Sequence, residues 1–458
     1  MGLFVKFSSA VLVCLLFVFP QLPLQLRYLG LITFVLCLLQ QDIWQAPGVR
    51  LLTAYTVYVC LAGVAVVIFA HDGTLGDALY PIRTLTFGLL VMLFCKNARI
   101  KDVVILISVV MVGGFIGLLL DFCSPPARSH IPFPIFSAQN LDILELQFMR
   151  SERFGGFTFE AGAIGGITSF FIIVCTSLFL ICVGEPRLRL PSYCHPLLIA
   201  MIVLGLSSFG LIQAKSGVFV LVPAFVTLGI GAIFFGHQVA PSVRSFVVAI
   251  ISFIGLSLPI IYFASQGTAL GQYVEAEIDN ISKLVGYGFT GIDYGSGLGT
   301  RFECAKLALT SLMTRPFGGG MTDGRFFTEF GISAIQPTAE MNAFFAIGRY
   351  NGYKGAIFNM LSFGGIISVI VLWKLMGCIC EHLSTLGKAG GAIVGAMIVV
   401  SLLFLGLTVE LLPYIELIML SIGLAWIVQR EFYAIDIAQT TRVLSSVRQH
   451  QQVRNEWL

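Results

Sequence analysis

The sequence predicts an all-α polytopic membrane protein, and three observations carry that expectation. Of 458 residues, 57% are hydrophobic and only 11% charged, where soluble globular chains carry roughly 25% charged residues. Mean hydropathy is +0.92. The apolar residues fall in runs of about 15 to 25 broken by short polar stretches, the length a helix needs to cross a ~30 Å hydrocarbon core. Runs such as Leu51 to Ala70 do not alternate, which excludes the strands of an outer-membrane barrel. The net charge of +3 is too small to argue for a nucleic-acid partner.

Taken in order, apolar windows place twelve spans at about 8–24, 28–40, 51–70, 79–95, 103–121, 160–183, 196–213, 216–235, 246–265, 354–377, 391–408 and 411–429. Lys6 precedes the first apolar stretch, but no small-x-small cleavage site follows, so Met1 to Pro20 reads as a retained span. Lys96, Arg99 and Lys101, then Arg187 and Arg189, then Arg244, sit in short loops on one side. Arg430, Arg442, Arg448 and Arg454 lie in the tail 430–458. By the positive-inside rule this side, with both termini, is cytoplasmic.

Five spans (1–121) are thus followed by a first long outer segment (122–159). Four spans (160–265) precede a second (266–353), and three spans (354–429) precede the tail. Loops of such length are usually functional or disordered. The second is rich in glycine and in charges of both signs, and is expected to form a loop domain with short helices. The halves show no internal repeat, which weighs against a secondary transporter.

Most cysteines, among them Cys14, Cys37, Cys60, Cys175 and Cys182, lie in apolar runs and read as small hydrophobes. Cys378 and Cys380 have no partners at zinc-site spacing, and no metal is expected.

Five places carry chemistry. Arg83 lies near the outer end of the fourth span, either snorkelling to the surface or facing an outer cavity as an anion site. Lys215 and Ser216 occupy a tight outer turn beside a helix N-terminus, where a phosphate or simply the interface would suit the lysine. Arg150-Ser-Glu-Arg153-Phe-Gly-Gly leads to Glu160 at a span entrance; the carboxylate either clamps an arginine or acts on a substrate. Arg301, Lys306 and Arg315 are expected on one side of an amphipathic helix that includes Leu307 to Met313, followed by Pro316-Phe-Gly-Gly-Gly320. A solvated helix face would also explain these charges. Finally, Glu340-Met-Asn342 leads through Arg349 to Gly352, Gly355 and Asn359.

This last stretch resembles the signature of O-antigen ligases and polymerases, His-Asn, nine residues, then Gly-x-x-Gly-Thr-x-x-His. Asn342, the spacer, Gly352 and Gly355 are kept, while Met341, Ala356 and Asn359 stand where ligases carry His, Thr and His. Arg153 to Glu160 resembles the R-x-x-G-x-F-x-E segment of Wzy-type polymerases, and Ala214 to Gly217 their S-[RK]-[ST]-G turn. Thr300 to Gly320 is similar to their R-x-x-x-W … P-x-G-x-G segment.

The resemblance covers about residues 150–375 and favours polymerase over ligase, because both ligase histidines are missing. It implies a fold like C-type membrane glycosyltransferases, set in the bacterial inner membrane and needing neither cofactor nor metal. The implied partner is an undecaprenyl-pyrophosphate-linked oligosaccharide, and the family admits a chain-length regulator protein. Arg83, Arg153, Lys215, Arg301 and Arg349 are then expected at the lipid pyrophosphates, and Glu160 or Glu340 as the base on the acceptor hydroxyl. Two other readings remain open from sequence: a ligase that attaches finished glycan, and a flippase for lipid-linked oligosaccharides. A flippase would line a central cavity with mid-span charges, whereas here charge gathers at the outer ends.

Overall fold

The computed structural model describes residues 2–18, 39–71, 74–123, 161–185, 190–212, 215–234, 297–320, 355–386, 390–408 and 411–456, with isolated positions between them. All regular elements among these are helical. They are α1 (Gly2–Val18), α2 (Val49–Ala70), α3 (Pro81–Asn97), α4 (Ile100–Cys123), α5 (Ala161–Gly184), α6 (Cys194–Ile212) and α7 (Lys215–Phe234). After these come α8 (Gly297–Thr314), α9 (Ala356–Ser384), α10 (Gly391–Gly406) and α11 (Leu411–Glu456). A short 3-10 turn, Gln41–Gln45, precedes α2, and a one-turn helix, Leu75–Ala78, precedes α3.

Seven helical stretches are long and apolar enough to cross a bilayer: Val49–Phe69, Leu75–Asn97, Ile100–Leu120, Ile164–Gly184, Ser216–Phe234, Ala356–Ser384 and Tyr414–Ile437. Leu3–Val18, Cys194–Phe209 and Gly391–Gly406 are shorter apolar helices. The protein is therefore a helical membrane protein. The expected span at 28–40 is described only in part, and nearly all of 246–265 lies outside the described residues, as does 124–159. Of the second long segment, 297–320 is described. The boundary expected after residue 429 does not interrupt the helix: α11 runs 46 residues, from Leu411 to Glu456.

Burial sorts these apolar helices. In α3 every residue from Phe87 to Cys95 is buried, and so is every residue of α11 from Tyr414 to Ala425. Helices that are hydrophobic all round belong inside a bundle. Here α3 packs against α1, α2 and α11, while α9 packs against α2, α8, α10 and α11. A second group, α5, α6 and α7, is joined through α4 and α10. Elsewhere single stripes face outward at helical spacing: Val222, Val226, Ile230 and Ile233 on α7, and Ile366, Val369, Ile370 and Trp373 on α9. Such stripes suit lipid.

Close approach depends on small residues, as expected where lipid gives helices no hydrophobic reason to associate. A Cβ on Gly88 of α3 would come within 2.7 Å of Leu52, and one on Gly205 of α6 within 2.6 Å of Ile172. The ten described cysteines are free thiols.

One end of the bundle, where α3 finishes, is fastened by polar side chains. The Arg430 guanidinium donates to the carbonyls of Lys96, at 2.7 Å, and Ala98, so α11 caps the C-terminus of α3. Glu431 accepts from the Ile100 N–H at 3.0 Å and caps the start of α4. Lys6 pairs with Asp102 at 2.6 Å, and Lys96 pairs with Asp42. The hydrogen bond from Lys96 holds the Asp42 carboxyl below the usual carboxylate range.

Candidate functional site

The opposite end, where α3 begins, collects the described candidate residues. Thr74 opens the one-turn helix with a reciprocal cap. Its hydroxyl accepts from the Asp77 N–H at 3.2 Å, and the Asp77 carboxylate accepts from the Thr74 N–H at 3.2 Å. Ala78, fully buried, then packs on Gly63 of α2, and Pro81 opens α3.

These contacts fix the backbone that carries Arg83 in the first turn of α3. Its guanidinium lies 5.6 Å from the centre of the Tyr80 ring and 5.5 Å from that of Phe87, and Nη1 donates to the Tyr80 hydroxyl at 3.3 Å. The aromatic faces hold the cation. Its Nε is buried and has no hydrogen-bond partner among the described residues. A cation in the first turn also adds to the positive end of the helix dipole, so this end of α3 favours an anion.

Helix α8 lies across α9 with its apolar stripe, Cys304, Leu307 and Ala308, against Phe358 and Leu361. The expected helix is present, but its three cations do not share a side. At 100° per residue Lys306 stands about 140° around the axis from Arg301. It reaches back to the fully buried Glu303 at 2.8 Å, and Arg315 lies beyond the helix end. Arg301 itself is half-buried near the start of the helix.

The segment after α8, Pro316 to Gly320, is a backbone clasp on α9. Helix α9 breaks at Gly365, whose φ of 55° and ψ of −138° are not helical. The break frees carbonyls that need donors. Gly319 donates to the Ser362 carbonyl at 3.2 Å and Gly320 to that of Phe363 at 2.9 Å, while the Ile366 N–H returns a bond to Pro316 at 2.8 Å. The Tyr58 hydroxyl of α2 donates to the Phe317 carbonyl. Tyr55, one turn away, bonds the Ser368 hydroxyl at 2.8 Å, and Ser368 donates to Met360. Gly320 abuts Gly63, which in turn abuts Ala78. The clasp therefore ties α8 to the same end of the bundle as Arg83.

Lys215 is the first residue of α7, as the expected helix N-terminus requires. That turn is anchored to α5, where the Ser169 hydroxyl donates to the Gly217 carbonyl at 2.9 Å. At the start of α9, Asn359 is buried and its amide donates to the Gly355 carbonyl at 3.2 Å. A small apolar cleft lies between α1, α4, α5 and α6 in the same half of the bundle, lined by Phe17, Val110, Gly114, Leu118, Ile164 and Phe171.

The structure thus brings Arg83, the start of α7 at Lys215, and Arg301 to one end on three separate helices. Arg153, Glu160, Glu340 and Arg349 lie outside the described residues. Sequence reasoning missed the clasp and the tyrosines that complete it. The available signal was the Gly364-Gly365 doublet inside an apolar run, which breaks helices. It also gave no role to Glu416, which is 2% exposed on α11. Among the described residues no group of three or more His, Cys, Asp or Glu is arranged to hold a metal ion.

No protein-family model matches the chain, and no curated protein matches its sequence.

Proposed function

We propose that this protein is a polysaccharide polymerase of the inner membrane. It transfers a growing glycan from undecaprenyl pyrophosphate to the next lipid-linked repeat unit at the periplasmic face. In this reading the bundle has twelve spans, both termini are cytoplasmic, and the Arg83 end faces outward with the segment 266–353 over it. The acceptor hydroxyl attacks the anomeric carbon, the bond to the donor phosphate breaks, and the pyrophosphate leaves with the developing negative charge. A base takes the hydroxyl proton, the role proposed for Glu160 or Glu340.

The observation that carries the reading is that Arg83 and Arg301, with the start of α7 at Lys215, stand at the same end of a membrane bundle on three separate helices. Cations preorganised where charge develops lower a barrier more than mobile ones do. The O-antigen polymerase-like motifs support the same reading.

The test is alanine substitution of Arg83 and Arg301 in a strain whose surface glycan reports chain length. Each variant, present in the membrane at the normal level, is expected to slow polymerisation about 100-fold. Gels should then show single repeat units attached to the acceptor in place of long chains. Loss of all attached glycan points instead to a ligase, and wild-type chain lengths in both variants would falsify the assignment.

A further inference from the structure

The pairing of α3 with α11 sets a second ionisable group beside Arg83. The two helices run in the same direction with one register: Gly88 meets Met419, Gly423 meets Met92, and Ile100 bonds Glu431, each at an offset of 331 residues. Continued toward the Arg83 end, that register places Glu416 opposite Leu85, level with Arg83 and Thr84. Thr84, Gly88 and Met92 recur every four residues and so share the face of α3 turned to α11.

Glu416 is 2% exposed and Thr84 5%. Arg83 is the cation that this register sets level with Glu416. Yet the two make no direct ion pair, and Glu416 takes part in no hydrogen bond among the described residues. Arg83 Nε and Thr84 Oγ1 are likewise buried with no hydrogen-bond partner. A carboxyl, a guanidinium edge and a hydroxyl are therefore level with one another along α3 and α11, each with unused capacity.

Such a set is costly unless it serves something. A charge inside a membrane needs a counter-charge, and buried polar atoms are normally satisfied. If stability alone had shaped the pair, a bidentate contact would serve it better. Instead the guanidinium is held by the Tyr80 and Phe87 rings and by the Tyr80 hydroxyl. It is oriented by contacts that leave its charge unneutralised. The other described carboxylates near this end are engaged: Asp77 in the cap at Thr74, and Glu303 with Lys306. The remaining titratable side chains at this level are Tyr55, Tyr58 and Cys60 of α2, the last beside the Ile82 backbone, and Tyr414 of α11, whose buried hydroxyl has no hydrogen-bond partner among the described residues. The first half of α9 and all of α10 contain no Asp, Glu, Lys, Arg or His.

We propose that Glu416 is the resident counter-ion of Arg83, a positioning residue that balances the guanidinium at a distance and is replaced as its electrostatic partner by a phosphate of the lipid-linked donor. The proposal rests on the reading of Arg83 as a pyrophosphate-binding residue. No bond is made or broken in the exchange. Because Glu416 competes with the phosphate for the same charge, removing its charge strengthens phosphate binding.

The test uses the full chain in lipid nanodiscs and a short prenyl pyrophosphate, farnesyl pyrophosphate, as the probe. Glu416→Gln is expected to bind the probe about tenfold more tightly than wild type. Arg83→Ala is expected to bind about tenfold more weakly, and the double variant should match Arg83→Ala, since Glu416 acts through Arg83. Glu416→Asp, which withdraws the charge by one methylene, should fall between wild type and Gln and serves if the Gln variant does not fold.

Unchanged or weaker binding by Glu416→Gln overturns the proposal, as does a lowered melting temperature with no change in affinity. A double variant that binds more tightly than Arg83→Ala overturns it too, because Glu416 would then repel the probe without Arg83. If Arg83→Ala binds as wild type does, the pyrophosphate reading of Arg83 is what fails.

Discussion

Gly318 and Gly365 are held in conformations that side chains resist. Gly318 has φ of 79°, and a Cβ there would run into the Phe363 carbonyl; Gly365 has φ of 55°, and its Cβ would run into that of Pro316. Each is glycine because two backbones cross at hydrogen-bonding distance. Gly318→Ala therefore adds left-handed strain of about 1–2 kcal/mol and pushes the clasp off α9. The expected result is faster protease cleavage after α8 and a lower melting temperature in detergent. Tyr58→Phe removes one bond to the same loop and should cost only about 0.5–1.5 kcal/mol. Equal protease resistance in wild type and Gly318→Ala would show that the clasp does not hold α8.

Among the elements, α11 does two jobs along its length. Near its start it carries Glu416 against α3, and four turns later it closes the other end with Arg430. There the guanidinium serves carbonyls left without partners where α3 stops, and it lies 5.6 Å from the Trp426 ring centre. Arg430→Ala leaves those carbonyls unsatisfied and should destabilise the protein by about 1–3 kcal/mol, read as a fall in melting temperature. Arg430→Lys should rescue it only in part, because an ammonium lacks the planar fork that reaches two carbonyls at once. The two basic roles differ in kind: Arg430 is a cap, whereas Arg83 is held by rings and left available.

For the whole molecule, the two ends of the bundle differ in how their charges are used. At the Lys96 end Lys6, Asp42, Lys96, Asp102, Arg430 and Glu431 are engaged in caps and ion pairs between elements. At the Arg83 end the Arg83 guanidinium is level with a buried carboxyl, Glu416, with which it makes no direct ion pair. The proposed orientation puts the first end in the cytoplasm and the second in the periplasm. Alkaline phosphatase fused after Thr74 should then be active, and the same enzyme fused after Leu386 inactive. The reverse pattern would invert the molecule and remove the periplasmic site.

Much of the fold was legible in the sequence because membrane insertion is decided locally. An apolar run of about 20 residues must be helical in hydrocarbon, whatever its neighbours. Composition therefore determined the class, and seven of the described helices are long and apolar enough to cross a bilayer. The amphipathic α8 and the start of α7 at Lys215 were equally local. The loop glycines after Pro316 were also visible, but their purpose was not. Hydrogen bonds from Gly319 and Gly320 to carbonyls more than forty residues away depend on a break in α9 that only packing positions.

By itself, then, the sequence determined a helical membrane protein and the cations worth testing. The tertiary structure alone decided that Lys306 turns back to Glu303, that α8 is clasped to a broken helix, and that Glu416 stands beside Arg83. The reason is physical. A helix's hydrophobicity is a property of its own residues, whereas the partner of a buried charge is set by the register between two helices. Here that register is fixed by Gly88 and Gly423, residues whose only signal in the sequence is the absence of a side chain.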